Sequence, residues 1–322
     1  MDQAERVDKM IAAGLAVVRE AMELYRPVAV VAAFSGGNDS IVATHFAMTH
    51  IPGCVVFHAD TLIGLAPAKQ HARTVPASYG WPVVIGQATP EGPPKKSRVN
   101  GRLMPFDPKS LPAGRWVDGD TYYEEFALNF GFPGRNRPMH ARMYQRLKGR
   151  PISRYLRSVG AKAGQNVMLI SGVRSDESAI RAGYKRAHAL GTANDAWVNP
   201  FYRFTASDFA AYRDEFGLPE NPVKRRCGIS GECCCGTFGS AAERAAYKIV
   251  DPAFDAYLTR LEARVADNGY PWGWGESPPH WWADAKRKQM FLFDPRGENE
   301  PDASYKPCVF QPMCVGCQAG RR

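Results

Sequence analysis

The chain has 322 residues, 45% hydrophobic and 23% charged, with a net charge of +9. This is the length and composition of an ordinary soluble globular protein, long enough for one large domain or two smaller ones with a real core. No apolar run approaches the ~20 residues of a membrane span, and Met1-Asp2-Gln3-Ala4-Glu5 lacks a signal-peptide pattern, so the expectation is a cytoplasmic protein with no membrane partner.

Residues 2–25 are predicted to form a helix, with Ile11, Leu15, Val18, Met22 and Leu24 on one broad apolar face and Pro27 as its end. The run Val28-Ala29-Val30-Val31-Ala32-Ala33 has strand composition. It leads into Phe34-Ser35-Gly36-Gly37-Asn38-Asp39-Ser40 and then into an amphipathic helix from Ile41 to Met48. A strand, a glycine turn and a helix N-terminus together hold phosphate: the first N–H groups of the helix point outward unpaired, and the dipole adds positive charge there. Gly36 and Gly37 let the backbone approach an anion, and Ser35 and Ser40 add hydroxyl donors. Asp39 beside a phosphate requires either a role as helix cap or a Mg²⁺ ion. No Gly-Lys-Ser/Thr follows, so this is not a Walker loop.

Pro52-Gly53 marks a turn, and Cys54-Val55-Val56-Phe57 a buried strand ending at His58-Ala59-Asp60-Thr61. Asp60 stands where doubly wound sheets bind ligands, or else caps the next helix, expected over residues 66–79. A short strand from Pro82 to Gly86 precedes a stretch, residues 88–119, rich in Pro, Gly and basic residues. That stretch reads as a long loop, either a lid or a nucleic-acid clamp.

Between Phe126 and Ser175 there is no acidic residue, whereas Arg135, Arg137, Arg142, Arg146, Lys148, Arg150, Arg154, Arg157, Lys162 and Arg174 all fall there. Such a block implies an anionic partner, DNA or RNA or a phosphorylated small molecule. Asn166 to Ser171 is the next strand, and it delivers Gly172-Val173-Arg174-Ser175-Asp176-Glu177-Ser178 and Arg181. Gly172 permits close approach, Arg174 can bind phosphate or sulfate oxygens in a fork, and Glu177 is placed to orient an arginine. Trp197-Val198-Asn199-Pro200 reads as the last strand. A helix capped by Thr205 or Ser207 then runs to about Phe216, and residues 218–222 close it.

Cys54 lies in a strand-like run and is expected in the core; the other cysteines all follow residue 226. Three are adjacent, Cys233-Cys234-Cys235, and Cys314-Val315-Gly316-Cys317 has metal-ligand spacing. Alternate residues of an extended turn point the same way, so Cys233, Cys235, Cys314 and Cys317 are the candidate ligands of one four-thiolate site, with Cys227 as substitute. Such a site suits an iron–sulfur cluster or zinc. A helix over 240–267, kinked near Pro252, precedes the aromatic loop Tyr270-Pro271-Trp272-Gly273-Trp274-Gly275, in which core packing is expected for most tryptophans; Trp281 and Trp282 are placed either to pack or to stack on bases.

The loop Ser35-Gly36-Gly37-Asn38-Asp39-Ser40, followed downstream by Gly172-Val173-Arg174-Ser175-Asp176-Glu177-Ser178, resembles the two motifs of the PP-loop ATP pyrophosphatase and PAPS reductase superfamily. Residues 138–152 resemble a basic segment of that superfamily, but Met143 and Tyr144 stand where cysteine often occurs, which speaks against the cluster-bearing APS reductases. The resemblance implies an α/β fold with a doubly wound, mostly parallel sheet of the adenine nucleotide alpha hydrolase type. Its parts would be an N-terminal helix (1–25), a nucleotide-binding domain (26–222) and a Cys-rich, mainly helical extension (223–322). It further implies ATP and Mg²⁺ bound by Ser35, Gly36, Gly37, Asp39, Ser40, Asp60, Gly172 and Arg174, with Asp39 and Arg174 catalytic. The metal group implied is a [4Fe–4S] cluster, with zinc as the alternative. The expected activity is adenylation of a target, DNA or RNA, for sulfur insertion, as in the sulfur-transfer subunits of DNA phosphorothioation systems, with a sulfur-donor or reductant protein as partner. The alternatives are a PAPS or APS reductase that forms sulfite, and a non-catalytic nucleic-acid-binding module.

Overall fold

In the computed structural model, residues 2–99, 102–177 and 187–282 are described. In chain order the elements are α1 (Gln3–Tyr25), β1 (Ala29–Ala33), α2 (Asn38–His50), β2 (Val55–Asp60), α3 (Ala66–Ser78), β3 (Val83–Gln87), β4 (Lys96–Val99) and β5 (Arg102–Pro105). There follow α4 (Tyr122–Phe130), α5 (Arg137–Tyr144), a π-helical turn (Gln145–Gly149), α6 (Arg150–Ser158), β6 (Val167–Ile170), β7 (His188–Leu190), β8 (Asp195–Val198), α7 (Ala206–Glu215), α8 (Pro222–Cys227), α9 (Ala241–Val250) and α10 (Pro252–Asp267). The described residues divide into two units, one within 2–87 and 144–234, the other within 88–143 and 235–282.

The first unit is built on a six-stranded sheet of order β3-β2-β1-β6-β8-β7. All of its pairings are parallel except that of β7 with β8. This is the expected α/β class with a doubly wound, mostly parallel sheet. Successive side chains of a strand point to opposite faces, and the sheet is apolar on both. Val30, Ala32, Val56, Met168, Ile170 and Val198 face one layer, where Phe46 of α2, Phe209 and Tyr212 of α7 and Val7 and Met10 of α1 complete the core. Val31, Phe57, Val167, Leu169 and Trp197 face the other, against Ile152 and Leu156 of α6. Burial on both faces explains why these strands read as unbroken apolar runs. The antiparallel edge strand β7 is not evident in the sequence because it spans only His188–Leu190.

In the second unit the stretch read as a long loop contains a hairpin. β4 and β5 pair antiparallel with Val99 opposite Arg102, and the dipeptide between those two residues is Asn100-Gly101, the sequence signal of a tight hairpin. The helix expected over 240–267 is two helices. Asp251 accepts the N–H of Phe254 and caps α10, with Pro252 in its first turn. Trp272 and Trp274 are buried, as expected for core residues; the Trp272 indole donates to the Phe132 carbonyl (2.9 Å) and Trp274 packs edge-on to Tyr247 of α9. Trp281 is 64% exposed, whereas Trp282 packs against Tyr270 and Trp272. Among the described residues no helix is long and apolar enough to cross a membrane.

Phe46 is fully buried and packs against Phe201 at 4.8 Å between ring centroids. Phe46→Ala is expected to lower unfolding free energy by about 3–5 kcal/mol, read from the midpoint of urea denaturation at unchanged slope.

Candidate functional site

β1 pairs with β2 on one side and β6 on the other. The chain therefore leaves β1 toward one half of the sheet and returns through β6 to the other, and ligands bind outside the carboxyl ends of the strands at such a reversal. The glycine loop follows β1 and the Gly172–Glu177 segment follows β6. Both border one cavity of about 410 Å³ within the first unit. Ser35, Gly37, Asp39, Ser40, Gly172 and Arg174 all line it, together with Phe57, Ile152 and Trp197 on the apolar side.

Within the loop, the Ser40 hydroxyl oxygen accepts the N–H groups of Gly37 (3.1 Å) and Ser35 (3.3 Å) and the Ser35 hydroxyl (3.1 Å), and donates to the Gly37 carbonyl (2.8 Å). This turn, a nest of N–H groups closed here on the Ser40 oxygen, is of the kind that can receive an anion at a helix start. Gly36 has φ +75, and the Ala72 methyl lies 2.9 Å from where its Cβ would stand, so no larger residue fits. Gly36 is not part of the cavity wall; its carbonyl accepts from the Asn221 side chain (2.8 Å). The loop's entry is held by buried His58, whose Nδ1 donates to the Phe34 carbonyl (2.9 Å).

The Arg174 guanidinium reaches Asp39 (3.3 Å) and Asp176 (2.9 and 3.0 Å) and lies over the Phe209 ring (5.2 Å). Glu177 was expected to orient an arginine, and Arg181 of the same motif lies outside the described residues. Glu177 accepts the backbone N–H of Arg174 (3.0 Å), while Asp176 holds the side chain. A Cβ at Gly172 would lie 2.3 Å from the Asp39 carbonyl oxygen, so the close approach that Gly172 permits is of the first loop's own backbone. Ser178 also lies outside the described residues.

Asp60 is 2% exposed and is not in the cavity wall, which Ala59 reaches instead. Burial opposes its ionisation, but the Leu62 N–H (3.0 Å), Arg73 (2.7 Å) and Gln87 (3.2 Å) outweigh it and hold the carboxyl below its ordinary value. Asp60 thus shapes the turn after β2, and Thr61 beside it donates to the Glu232 carbonyl (3.0 Å).

Several cavity residues were not singled out from the sequence. Lys148, from the π-helical turn, pairs with Glu232 (2.5 Å), and both belong to the wall with little exposure. Arg213 and Lys224 line it too. Lys148 and Arg174 belong to the acid-free block, so that block divides: these two enter the cavity, while Arg150, Arg154, Arg157 and Lys162 are exposed. The available signal for Lys148 was its place in the basic segment, and π-helical turns recur at functional sites.

Of the candidate metal ligands, Cys314 and Cys317 lie outside the described residues. Cys227 and Cys233 are half-buried and Cys235 is buried. In the second unit the Thr237 hydroxyl lies 3.3 Å from the Cys235 sulfur and 3.0 Å from His140 Nδ1. Among the described residues no three His, Cys, Asp or Glu side chains converge to hold a metal ion.

No family model matches the chain, and no curated protein does. Solved structures similar to it include a PAPS reductase from Candida auris in a phosphate complex, at 17% identity and a TM-score of 0.43, covering 70% of this chain and 92% of that one. An NH3-dependent NAD synthetase from Campylobacter jejuni is similar at 15% identity and a TM-score of 0.41, over 87% of this chain and 98% of the other. A U34-tRNA thiolase from Methanococcus maripaludis with its [4Fe-4S] cluster is similar at 11% identity and a TM-score of 0.32, over 87% and 91% of the two chains. The chain resembles the PP-loop superfamily in its two loop motifs and in the class of its sheet.

Burial holds His58 below the ordinary imidazole value of 6.5, because the imidazolium is disfavoured there. The unfolded chain therefore binds the proton more readily, and this contribution to stability, complete above pH 6.5, is lost as pH falls toward the lower folded value. His45, His50 and His71 are shifted the same way, each chiefly by burial. Denaturation of the wild type at pH 8 and pH 5.5 is expected to show lower stability at the acid end, with a shallower pH dependence in His58→Gln.

Proposed function

We propose that this chain is a PP-loop-type ATP pyrophosphatase that adenylates a nucleic-acid target for sulfur insertion. The observation that carries the reading is the meeting, in one cavity at the chain reversal of a parallel sheet, of an N–H nest at the start of α2 with Arg174 from the loop after β6. In this reading the nest holds the pyrophosphate end of ATP. A target oxygen attacks the α-phosphorus, the bond to the β-phosphate bridging oxygen breaks, and pyrophosphate leaves with that bonding pair; sulfur then displaces AMP from the activated target. Arg174 is aimed at the charge that develops on the phosphates, held in place by Asp39 and Asp176. Asp39 lines the cavity in the first turn of α2, and a carboxylate there suits a Mg²⁺ ligand; the ion would neutralise phosphate charge. The proposed [4Fe–4S] cluster, with zinc as its alternative, rests on the spacing of Cys233, Cys235, Cys314 and Cys317, with Cys227 in reserve; it would position sulfur, delivered by a donor or reductant protein.

The nucleic-acid target is supported by α6. Arg150, Arg154 and Arg157 are exposed at spacings of four and three residues, which puts them along one helical face. The opposite side of the same helix carries buried Pro151, Ile152 and Leu156, and Ile152 lines the cavity. A strand tracked by these arginines would run close to the reacting atoms.

Anaerobically purified protein is expected to release pyrophosphate from ATP, with release lost in Asp39→Ala. Unchanged release in that variant, or sulfite from PAPS with thioredoxin in place of pyrophosphate, would sink the assignment; the second result identifies a reductase. Replacing Arg150, Arg154 and Arg157 by Gln is expected to lower the slope of log affinity against log salt for nucleic acid by about 2–3. Nucleic-acid binding with no nucleotide turnover would leave the chain a binding module.

A further inference from the structure

Asn221 is completely buried, and every hydrogen-bonding group of its side chain is used. Its Oδ1 accepts the N–H groups of Val223 (2.9 Å) and Lys224 (3.1 Å), which caps α8. Its Nδ2 donates to the carbonyls of Gly36 (2.8 Å) and Ser230 (3.1 Å). Its backbone N–H donates to the Asn38 side chain (2.9 Å), whose own amide donates to Glu220 (3.0 Å). Capping alone requires only the acceptor, and Ser, Thr or Asp supply that as well as Asn does. What asparagine adds is the pair of donors, and both are spent on carbonyls outside its own helix.

The first of those carbonyls decides an orientation. In a trans peptide the C=O and the following N–H point in opposite directions. Holding the Gly36 oxygen toward Asn221 therefore turns the Gly37 N–H the other way, onto the oxygen of Ser40 in the nest. The second carbonyl belongs to Ser230, which lines the same cavity one turn of chain before the cysteine run. From there the segment is fastened to the loop after β2: Leu65 N–H to Gly231 (2.8 Å), Thr61 hydroxyl to Glu232 (3.0 Å) and Cys234 N–H to Ile63 (2.7 Å). A Cβ at Gly64 would lie 2.4 Å from the Glu232 carbonyl oxygen, so these two backbones touch.

We propose that Asn221 is a positioning residue that sets the Gly36–Gly37 peptide for a phosphate oxygen and couples it to residues 230–234, the segment leading into the cysteine run. The proposal rests on the reading of the glycine loop as the nucleotide phosphate site. Nucleotide in the nest would then order the segment that carries Glu232 and Cys233, and disorder in that segment would weaken nucleotide binding.

The test compares wild type with N221S and N221D. Both keep an oxygen to cap α8, and both lose the two donors. ATP affinity is measured by calorimetry, folding by the thermal midpoint, and ATP-dependent protection by amide hydrogen exchange. N221S is expected to bind ATP about tenfold more weakly, and N221D more weakly still, because an acceptor then faces two carbonyls. In wild type ATP is expected to slow exchange at residues 229–234 as well as 35–40, and in N221S only at 35–40. A merely structural role lowers the thermal midpoint and leaves affinity and the exchange pattern of the folded protein as in wild type, which overturns the proposal. If neither variant folds, the wild-type pattern decides: protection confined to 35–40 overturns it. Failure of wild type to bind ATP overturns the functional reading and this proposal together, whereas wild-type binding with unchanged N221S overturns this proposal alone.

Discussion

The pairing of β1 between β2 and β6 is the constraint on which the rest of the first unit depends. Parallel neighbours leave the sheet at the same edge, so the loop after β1 and the loop after β6 must meet there. They meet closely enough that Gly172 has no room for a side chain beside the Asp39 carbonyl. The hydrophobic layers on both faces hold the three strands in register, and so fix the distance between an N–H nest and an arginine that come from remote parts of the chain.

Two of the cavity's cations are matched to carboxylates. Arg174 is shared by Asp39 and Asp176, and Lys148 is matched to Glu232. Buried pairs of this kind contribute little net stability, because desolvation offsets attraction. Their position matters more. In the proposed reading an arriving anion would compete with Glu232 for Lys148 and with two carboxylates for Arg174, and those pairs hold the cations in place beforehand.

Around the nest stands a shell of groups whose task is orientation. His58 holds the entry at Phe34, Asn221 holds Gly36, and Asp60 ties Leu62 to Arg73 and Gln87. Each uses a buried polar group whose bonds are made to the chain itself, which is what keeps such groups from destabilising the fold. Asp60 illustrates the difference between a residue at a ligand-binding edge and a residue that shapes the edge.

The sequence by itself determined the first strand, the glycine turn and the helix after it, because these signals are local: an apolar run long enough for a strand, glycines where a side chain would clash, and a helix start directly after. The sheet class and the return of Arg174 came with the resemblance of the two loop motifs. The sequence also held a signal that is plain only beside the structure, Asp251-Pro252 at a helix start. Only the tertiary structure decided which of the basic block's side chains line the cavity, that Glu232 and not a residue near it in sequence pairs with Lys148, that Asp176 holds the Arg174 guanidinium, and that Asp60 binds Leu62, Arg73 and Gln87 outside the cavity wall. The physical reason is the same throughout. A helix face, a turn or a cap is written in neighbouring residues, whereas a hydrogen bond from Asn221 to Gly36 or an ion pair between Lys148 and Glu232 exists only once packing has brought distant segments within about 3 Å.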